Sequence, residues 1–185
     1  MTTAIDYKQA QHTLENADLL HSAEEITVCL DDLAKTVNAD FAGKDSVIFT
    51  VMNGGVVLAG MLMTRLTFPF RFDYLHATRY REKTSGSDLH WLKRNDTEIA
   101  GKSVLVIDDI LDEGYTLEAI VDELQKQSPA ELKTLVLAEK QHDRTNGFKA
   151  DYIGLKLIDR YVFGMGMDYC GYLRHLPAIY AVKGM

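Results

Sequence analysis

Between Asp108 and Glu113 the chain places four carboxylates in six residues, Asp108, Asp109, Asp112 and Glu113, and Gly114, Tyr115 and Thr116 follow at once. Acids at that density repel one another: like charges about 4 Å apart cost roughly 4 kcal/mol at an effective dielectric near 20. They need an occupation. Carboxylates accept hydrogen bonds from sugar hydroxyls and hold hard cations, and Mg²⁺ in particular is bound through a few carboxylates together with substrate phosphates. Backbone N–H groups around Gly114 to Thr116 point at an anion, and glycine lets the chain wrap closely around it. A ligand carrying a phosphate, a diol and a metal meets all three demands, and a phosphorylated ribose is such a ligand. The plain alternative is a solvated acidic turn.

The elements around this stretch favour a site over a turn. Val104–Ile107 is a β-branched apolar run of the kind that forms a buried strand, and it stops at the acids. Thr116 is placed to cap a helix over Leu117, Ile120, Val121 and Leu124. The order is strand, acidic loop, helix, and in open α/β sheets ligands bind beyond the carboxyl ends of the strands. A second such unit runs from the strand Ser46–Val51 through Met52-Asn53-Gly54-Gly55 to an apolar helix from Val56 to about Leu66. Its paired glycines permit close backbone approach to a ligand, or make an ordinary turn. Lys133–Ala138 reads as a further buried strand with Lys140 just past its end, either a donor to a ligand carbonyl or a surface lysine. Phe70–Tyr80 reads as a long strand, Arg81–Leu89 as a polar Ser/Gly-containing loop, and His90–Lys93 as the returning strand of a hairpin. Ser22-Ala23-Glu24-Glu25 has capping-box spacing ahead of a helix lined by Ile26, Leu30, Leu33 and Val37, and Tyr7–Ala17 fits a shorter one. Tyr152–Leu157 and Ala178–Val182 close the series as strands.

Composition narrows the function. At 185 residues, 46% apolar, the chain has the length of one domain. A net charge of −7 argues against nonspecific nucleic-acid binding and against an acidic membrane surface. Cys29 and Cys170 form no zinc pattern and read as reduced packing residues of a cytoplasmic protein. The N-terminus lacks a basic-then-apolar leader, and no apolar run approaches the length of a membrane span. Gly101-Lys102-Ser103 fails as a P-loop because Asp96 stands where the earlier glycine is required and the tripeptide precedes a strand. Gly164-x-Gly166 lacks the third glycine of a dinucleotide fingerprint.

The run Asp108-Asp109-Ile110-Leu111-Asp112-Glu113-Gly114-Tyr115-Thr116 resembles the phosphoribosyl diphosphate-binding motif of type I phosphoribosyltransferases. The segment from Asp159 to Tyr169 is similar to the purine-binding region of the hypoxanthine-guanine members, and the resemblance runs from about Val47 to the C-terminus. It implies an α/β fold with a central, mainly parallel sheet flanked by helices, a flexible hairpin flap at about 80–93, and a small base-binding hood formed largely by the region from about 152. It implies transfer of the 5-phosphoribosyl group to hypoxanthine or guanine with Mg²⁺ as cofactor, and a homodimer or homotetramer. By the same resemblance Asp112 is the catalytic residue at purine N7. Asp108, Asp109, Glu113, Gly114, Tyr115, Thr116, Asn53, Gly54, Arg174 and Tyr80 bind phosphoribosyl diphosphate. Lys140, Tyr161, Val162 and Asp168 bind the purine, with Lys140 at its 6-oxygen and Tyr161 stacked on its face. Asp108, Asp109 and Asp168 lie at the metal. In the family the loop matching Asn53 and Gly54 often holds a non-proline cis peptide. Three residues depart from the common pattern: Asn53 stands in place of Lys, Asp108 in place of Glu, and Glu113 in place of Thr. A xanthine-preferring enzyme and a non-catalytic regulator of the same fold are the competing readings. A regulator would need a basic face that the acidic balance argues against.

Overall fold

The computed structural model describes residues 5–79 and 89–184. The chain runs α1 (Tyr7–Glu15), β1 (Asp18–His21), α2 (Ala23–Phe41), β2 (Ser46–Met52), α3 (Gly55–Met63), β3 (Phe70–Arg79), β4 (Leu89–Lys93), β5 (Ser103–Leu111), α4 (Tyr115–Gln125), β6 (Glu131–Gln141), β7 (Tyr152–Ile158), β8 (Val162–Phe163) and β9 (Ile179–Ala181). Tyr80 and residues 81–88 of the expected flap lie outside the described residues.

Six strands form one sheet in the order β4-β3-β2-β5-β6-β7. All its pairs are parallel except β3 with β4, the two arms of the hairpin. The α/β class and the mainly parallel sheet expected from the sequence are therefore present. Sequence alternation explains how both faces are buried. Val47, Phe49, Val51, Val104 and Val106 face α4, meeting Leu117, Ile120 and Leu124. Ile48, Leu105 and Ile107 face the other way, onto the layer holding Leu30, Leu33, Val37 and Leu58 of α2 and α3. Parallel strands covered on both sides read as continuous apolar runs for this reason. Ser22 caps α2 as its spacing predicts: the Glu25 N–H donates to Ser22 Oγ at 3.2 Å and the Ser22 N–H donates to Glu25 Oε2 at 2.8 Å. A cap of this kind stabilises a helix by about 1 kcal/mol.

Three sequence expectations need correction. β5 does not stop at Ile107; its pairing with β6 continues to Leu111 opposite Glu139, so Asp108 and Asp109 belong to the strand and not to a loop. Hydrogen bonding to a long neighbour overrides the poor strand propensity of aspartate. Thr116 does not cap α4. Gly114 does, in the left-handed conformation at φ +93°, and Thr116 is already helical. The hood does not begin at about 152, because Tyr152–Ile158 is the edge strand β7 of the main sheet. Its own sheet has three antiparallel strands in the order β1-β9-β8, so it draws one strand from the beginning of the chain. Arg160 ties these parts together, donating through Nη2 to Asp18 Oδ2 at 2.6 Å and to the Val182 carbonyl at 2.7 Å.

Candidate active site

The carboxyl ends of β2, β5 and β6 and the start of β8 enclose a cavity of about 430 Å³. Asn53, Gly54, Asp108, Asp109, Asp112, Lys140, Tyr161, Val162, Asp168 and Arg174 all line it. The sequence assigned each of them to the site, and the fold brings them together from distant segments. Glu113, Gly114, Tyr115 and Thr116 are not in the lining; they form the turn and helix start directly after Asp112. Tyr80 lies outside the described residues.

Asp108 and Asp109 are consecutive strand residues held against one another. The Asp109 N–H donates to Asp108 Oδ1 at 3.0 Å, and the Ile110 N–H donates to Asp109 Oδ1 at 2.9 Å. Burial and the neighbouring Asp109 charge push Asp108 well above the ordinary carboxylate range. Burial pushes Asp109 up as well, against the hydrogen bonds that favour its charged form and the Arg174 charge. A cation would relieve this cost. Among the described residues no three His, Cys, Asp or Glu side chains form a metal-binding group. Two adjacent carboxylates open to a phosphate-bearing ligand are nevertheless how Mg²⁺ is commonly held, with phosphate and water completing the shell. The donor set fits that ion.

The glycine loop closes over the same pair. A non-proline cis peptide joins Met52 to Asn53, as the family resemblance implies. A Cβ on Gly54 would fall 2.1 Å from Asp109 Oδ2, and a Cβ on Gly166 would fall 1.9 Å from the Gly54 carbonyl oxygen. The hood loop, the glycine loop and the Asp109 side chain of the acidic strand thus touch in series. Gly166 therefore has a packing role and is no part of a dinucleotide fingerprint.

Asp112 has the opposite surroundings. Lys140 Nζ donates to its Oδ2 at 3.0 Å, and His142 Nε2 lies 2.6 Å from its Oδ1. Partial burial pulls the Asp112 carboxyl up, but the His142 and Lys140 hydrogen bonds outweigh it and hold the group below its usual range. After Asp112 the chain turns through Gly114, and the Glu118 N–H donates to the Gly114 carbonyl to begin α4. Backbone N–H groups at the start of a helix point outward along its axis, the arrangement that receives phosphate. Asn146 braces the turn: its N–H donates to the Glu113 carbonyl at 2.9 Å and its Nδ2 donates to Glu118 Oε2 at 2.6 Å.

The hood supplies the remaining residues. Tyr161, 38% exposed, presents its ring at the mouth and packs edge-on against Tyr169 with centroids 5.4 Å apart. Val162 is buried and its backbone pairs with Ala181. Asp168 Oδ2 accepts the Gly171 N–H at 2.6 Å, and its Oδ1 pairs with Arg174 Nη2 at 2.7 Å. Arg174 also donates to the Gly166 carbonyl at 2.6 Å.

Sequence reasoning missed His142, Arg144 and Asn146, all on the loop after β6. His142 is only two residues beyond Lys140, but its partner Asp112 is 30 residues away, and no local spacing announces that contact.

The signature of the phosphoribosyl transferase domain matches residues 16–170. A hypoxanthine-guanine phosphoribosyltransferase of Aquifex aeolicus is 32% identical over 169 residues, which cover 89% of this chain and 94% of that protein. The crystal structure of a hypoxanthine phosphoribosyltransferase from Staphylococcus aureus superposes with a TM-score of 0.88 at 27% identity, over 96% of this chain and 97% of that one. A hypoxanthine-guanine-xanthine phosphoribosyltransferase superposes with a TM-score of 0.82 at 29% identity, over 90% and 96%.

Proposed function

The chain belongs to the phosphoribosyl transferase domain family, and from that premise we propose how its residues divide the reaction. The protein is a purine salvage enzyme that transfers the 5-phosphoribosyl group of phosphoribosyl diphosphate to hypoxanthine or guanine, giving IMP or GMP and pyrophosphate. The observation that carries the residue assignments is the meeting of Asp112 and Lys140 with Tyr161 and Val162 in the cavity that also holds Asp108 and Asp109.

The first-turn N–H groups from Glu113 to Thr116, with the Thr116 hydroxyl, hold the 5′-phosphate. Asp108 and Asp109 accept from the ribose hydroxyls. Asn53, Gly54 and Arg174 receive the diphosphate, Arg174 exchanging its pairing with Asp168 for the ligand. Dependence on Mg²⁺ is general in this family, and here Asp108 and Asp109 would hold the ion, with Asp168 nearby. When bound, Mg²⁺ neutralises the departing diphosphate. Tyr161 stacks on the purine, the Val162 backbone meets its edge, and Lys140 donates to the 6-oxygen, which selects oxopurines over adenine.

As the bond from ribose C1 to diphosphate breaks and the bond to purine nitrogen forms, positive charge develops on sugar and base. Asp112 answers it by accepting the hydrogen at N7. An efficient general base has a pKa near the working pH, whereas the donors on Asp112 keep it ionised and weakly basic. Asp112 therefore waits as a charged hydrogen-bond acceptor, and the N7 proton, made strongly acidic as the base gains positive charge, passes to it and on to solvent. We place the enzyme in the cytoplasm, where unpaired Cys29 and Cys170 stay reduced, and expect a homodimer or homotetramer in solution. No described helix is long and apolar enough to cross a membrane.

A spectrophotometric assay with phosphoribosyl diphosphate, Mg²⁺ and each of hypoxanthine, guanine, xanthine and adenine tests this reading. Turnover of hypoxanthine or guanine, abolished by a chelator, is the expected result. Tight diphosphate binding without turnover of any base would instead make the protein a regulator.

A further inference from the structure

We propose that His142 is a positioning residue for the transfer, orienting Asp112 toward the purine by donating from Nε2 to Oδ1. The inference rests on the function argued above and adds a residue to it. Its basis is a tautomer fixed by the backbone. The Arg144 N–H donates to His142 Nδ1 at 3.1 Å, so Nδ1 carries the lone pair and, in the neutral ring, Nε2 carries the hydrogen. That hydrogen lies on the 2.6 Å line to Asp112 Oδ1. The His142 side chain is 4% exposed, so the donor has no access to bulk water, while the half-exposed Asp112 stays open to the ligand.

With Lys140 on Oδ2, each Asp112 oxygen has one donor, and the plane of the carboxylate is set from two sides. A carboxylate oxygen has a second lone pair, which is left to accept from the base. The loop that carries His142 is itself anchored. Arg144 reaches Asp159 with a two-pronged contact, Nη1 to Oδ2 at 2.7 Å and Nη2 to Oδ1 at 2.9 Å. Asp159 lies two residues before Tyr161. A chain of contacts from Asp112 through His142 and Arg144 to Asp159 thus sets the acceptor for the purine edge relative to the ring that stacks on its face. The titratable and charged groups around Asp112 are Lys140 and the imidazole of His142 in direct contact, Glu113 next in the chain, and Arg144 with its partner Asp159.

The test compares wild type with His142→Phe, which keeps a ring and removes the donor, and His142→Gln, whose amide can replace the Nε2 donor. Wild-type turnover is measured first. In His142→Phe, kcat should fall about 100-fold, the typical effect of a small misplacement of a reacting group, with KM for phosphoribosyl diphosphate within about twofold. The acid limb of its kcat/KM profile should move to higher pH as Asp112 loses a donor. His142→Gln should recover most of kcat and return the limb. Unchanged kcat and limb in His142→Phe, with an active wild type, would overturn this assignment alone. A wild type without turnover overturns the functional reading along with it. A nitrogen-resolved NMR spectrum of the wild-type imidazoles needs no variant to fold: the Nε2–H form of His142 supports the proposal, and the Nδ1–H form overturns it.

Discussion

Asp109 and Asp112 are three residues apart at one end of one strand and occupy opposite electrostatic environments. Asp109 shares a buried position with Asp108 and is pushed toward its neutral form by burial. Asp112 sits between a lysine and a histidine and is held ionised. The difference teaches how one short acidic run divides its labour. Carboxylates that repel one another create a demand for an external cation, while a carboxylate whose donors come from the protein is ready for a substrate hydrogen. Environments that separate the ionisation of neighbouring acids are a general mark of distinct catalytic roles.

Removing each acid should therefore have a different signature. Asp112→Asn should lower kcat by about 10²- to 10⁴-fold in a folded protein, and full activity in steady-state assays would break the division. Asp109→Asn should raise the Mg²⁺ concentration needed for half-maximal rate by about 10- to 100-fold, read from a metal titration. Thermal stability without metal should separate the acids by sign. Asp108→Asn should raise Tm because it relieves a buried repulsion. Asp112→Asn should lower it, since hydrogen bonds to charged groups contribute about 1.5–3 kcal/mol and each kcal/mol moves Tm by roughly 2–4 °C at this size.

The pH dependence sharpens the same contrast. The folded value of Asp112 lies below its unfolded value near 3.9, so its stabilisation is fully present above about pH 4 and is lost as pH falls through the depressed value. The Tm gap between wild type and Asp112→Asn should be flat from about pH 5 to 7 and shrink below about pH 4. The smallest effect is expected at Glu113. Its carboxylate must face away from a phosphate held by the surrounding N–H groups, so Glu113→Thr should leave diphosphate affinity equal or slightly better in calorimetry. A large loss there would give the side chain a role not assigned above.

The acidic run was legible because the chemistry is contiguous: strand, acids, glycine and helix follow one another within the stretch from Val104 to Leu124. The glycine loop and the hood residues were legible through family resemblance, since Tyr161 and Val162 read locally as core. The end of β5 was misjudged because its length is set by β6, a tertiary partner that local propensity does not register. Strand β1 escaped notice for a related reason. It has four residues with no inside–outside alternation, and its partner Ala181 lies at the far end of the sequence. His142 needed the same kind of information: a loop folded back onto the strand end beside it.

The hood sheet carries a consequence for the order of assembly. Strand β9 lies between β1 and β8, so the strand at Asp18–His21 has no partner in that sheet until Ile179–Ala181 have been synthesised. The acidic end of β5, its neighbour β2 and the next strand β3 are by then long off the ribosome, with the parallel pairing β3-β2-β5 available. Contacts between distant sequence positions are slow to form because a long loop must close first. A nascent chain should thus acquire the strand-borne part of its diphosphate site early, and Arg174 and its purine recognition last. Until that final pairing it would have the acids and the glycine loop for the sugar donor with no means of choosing what to attach to it.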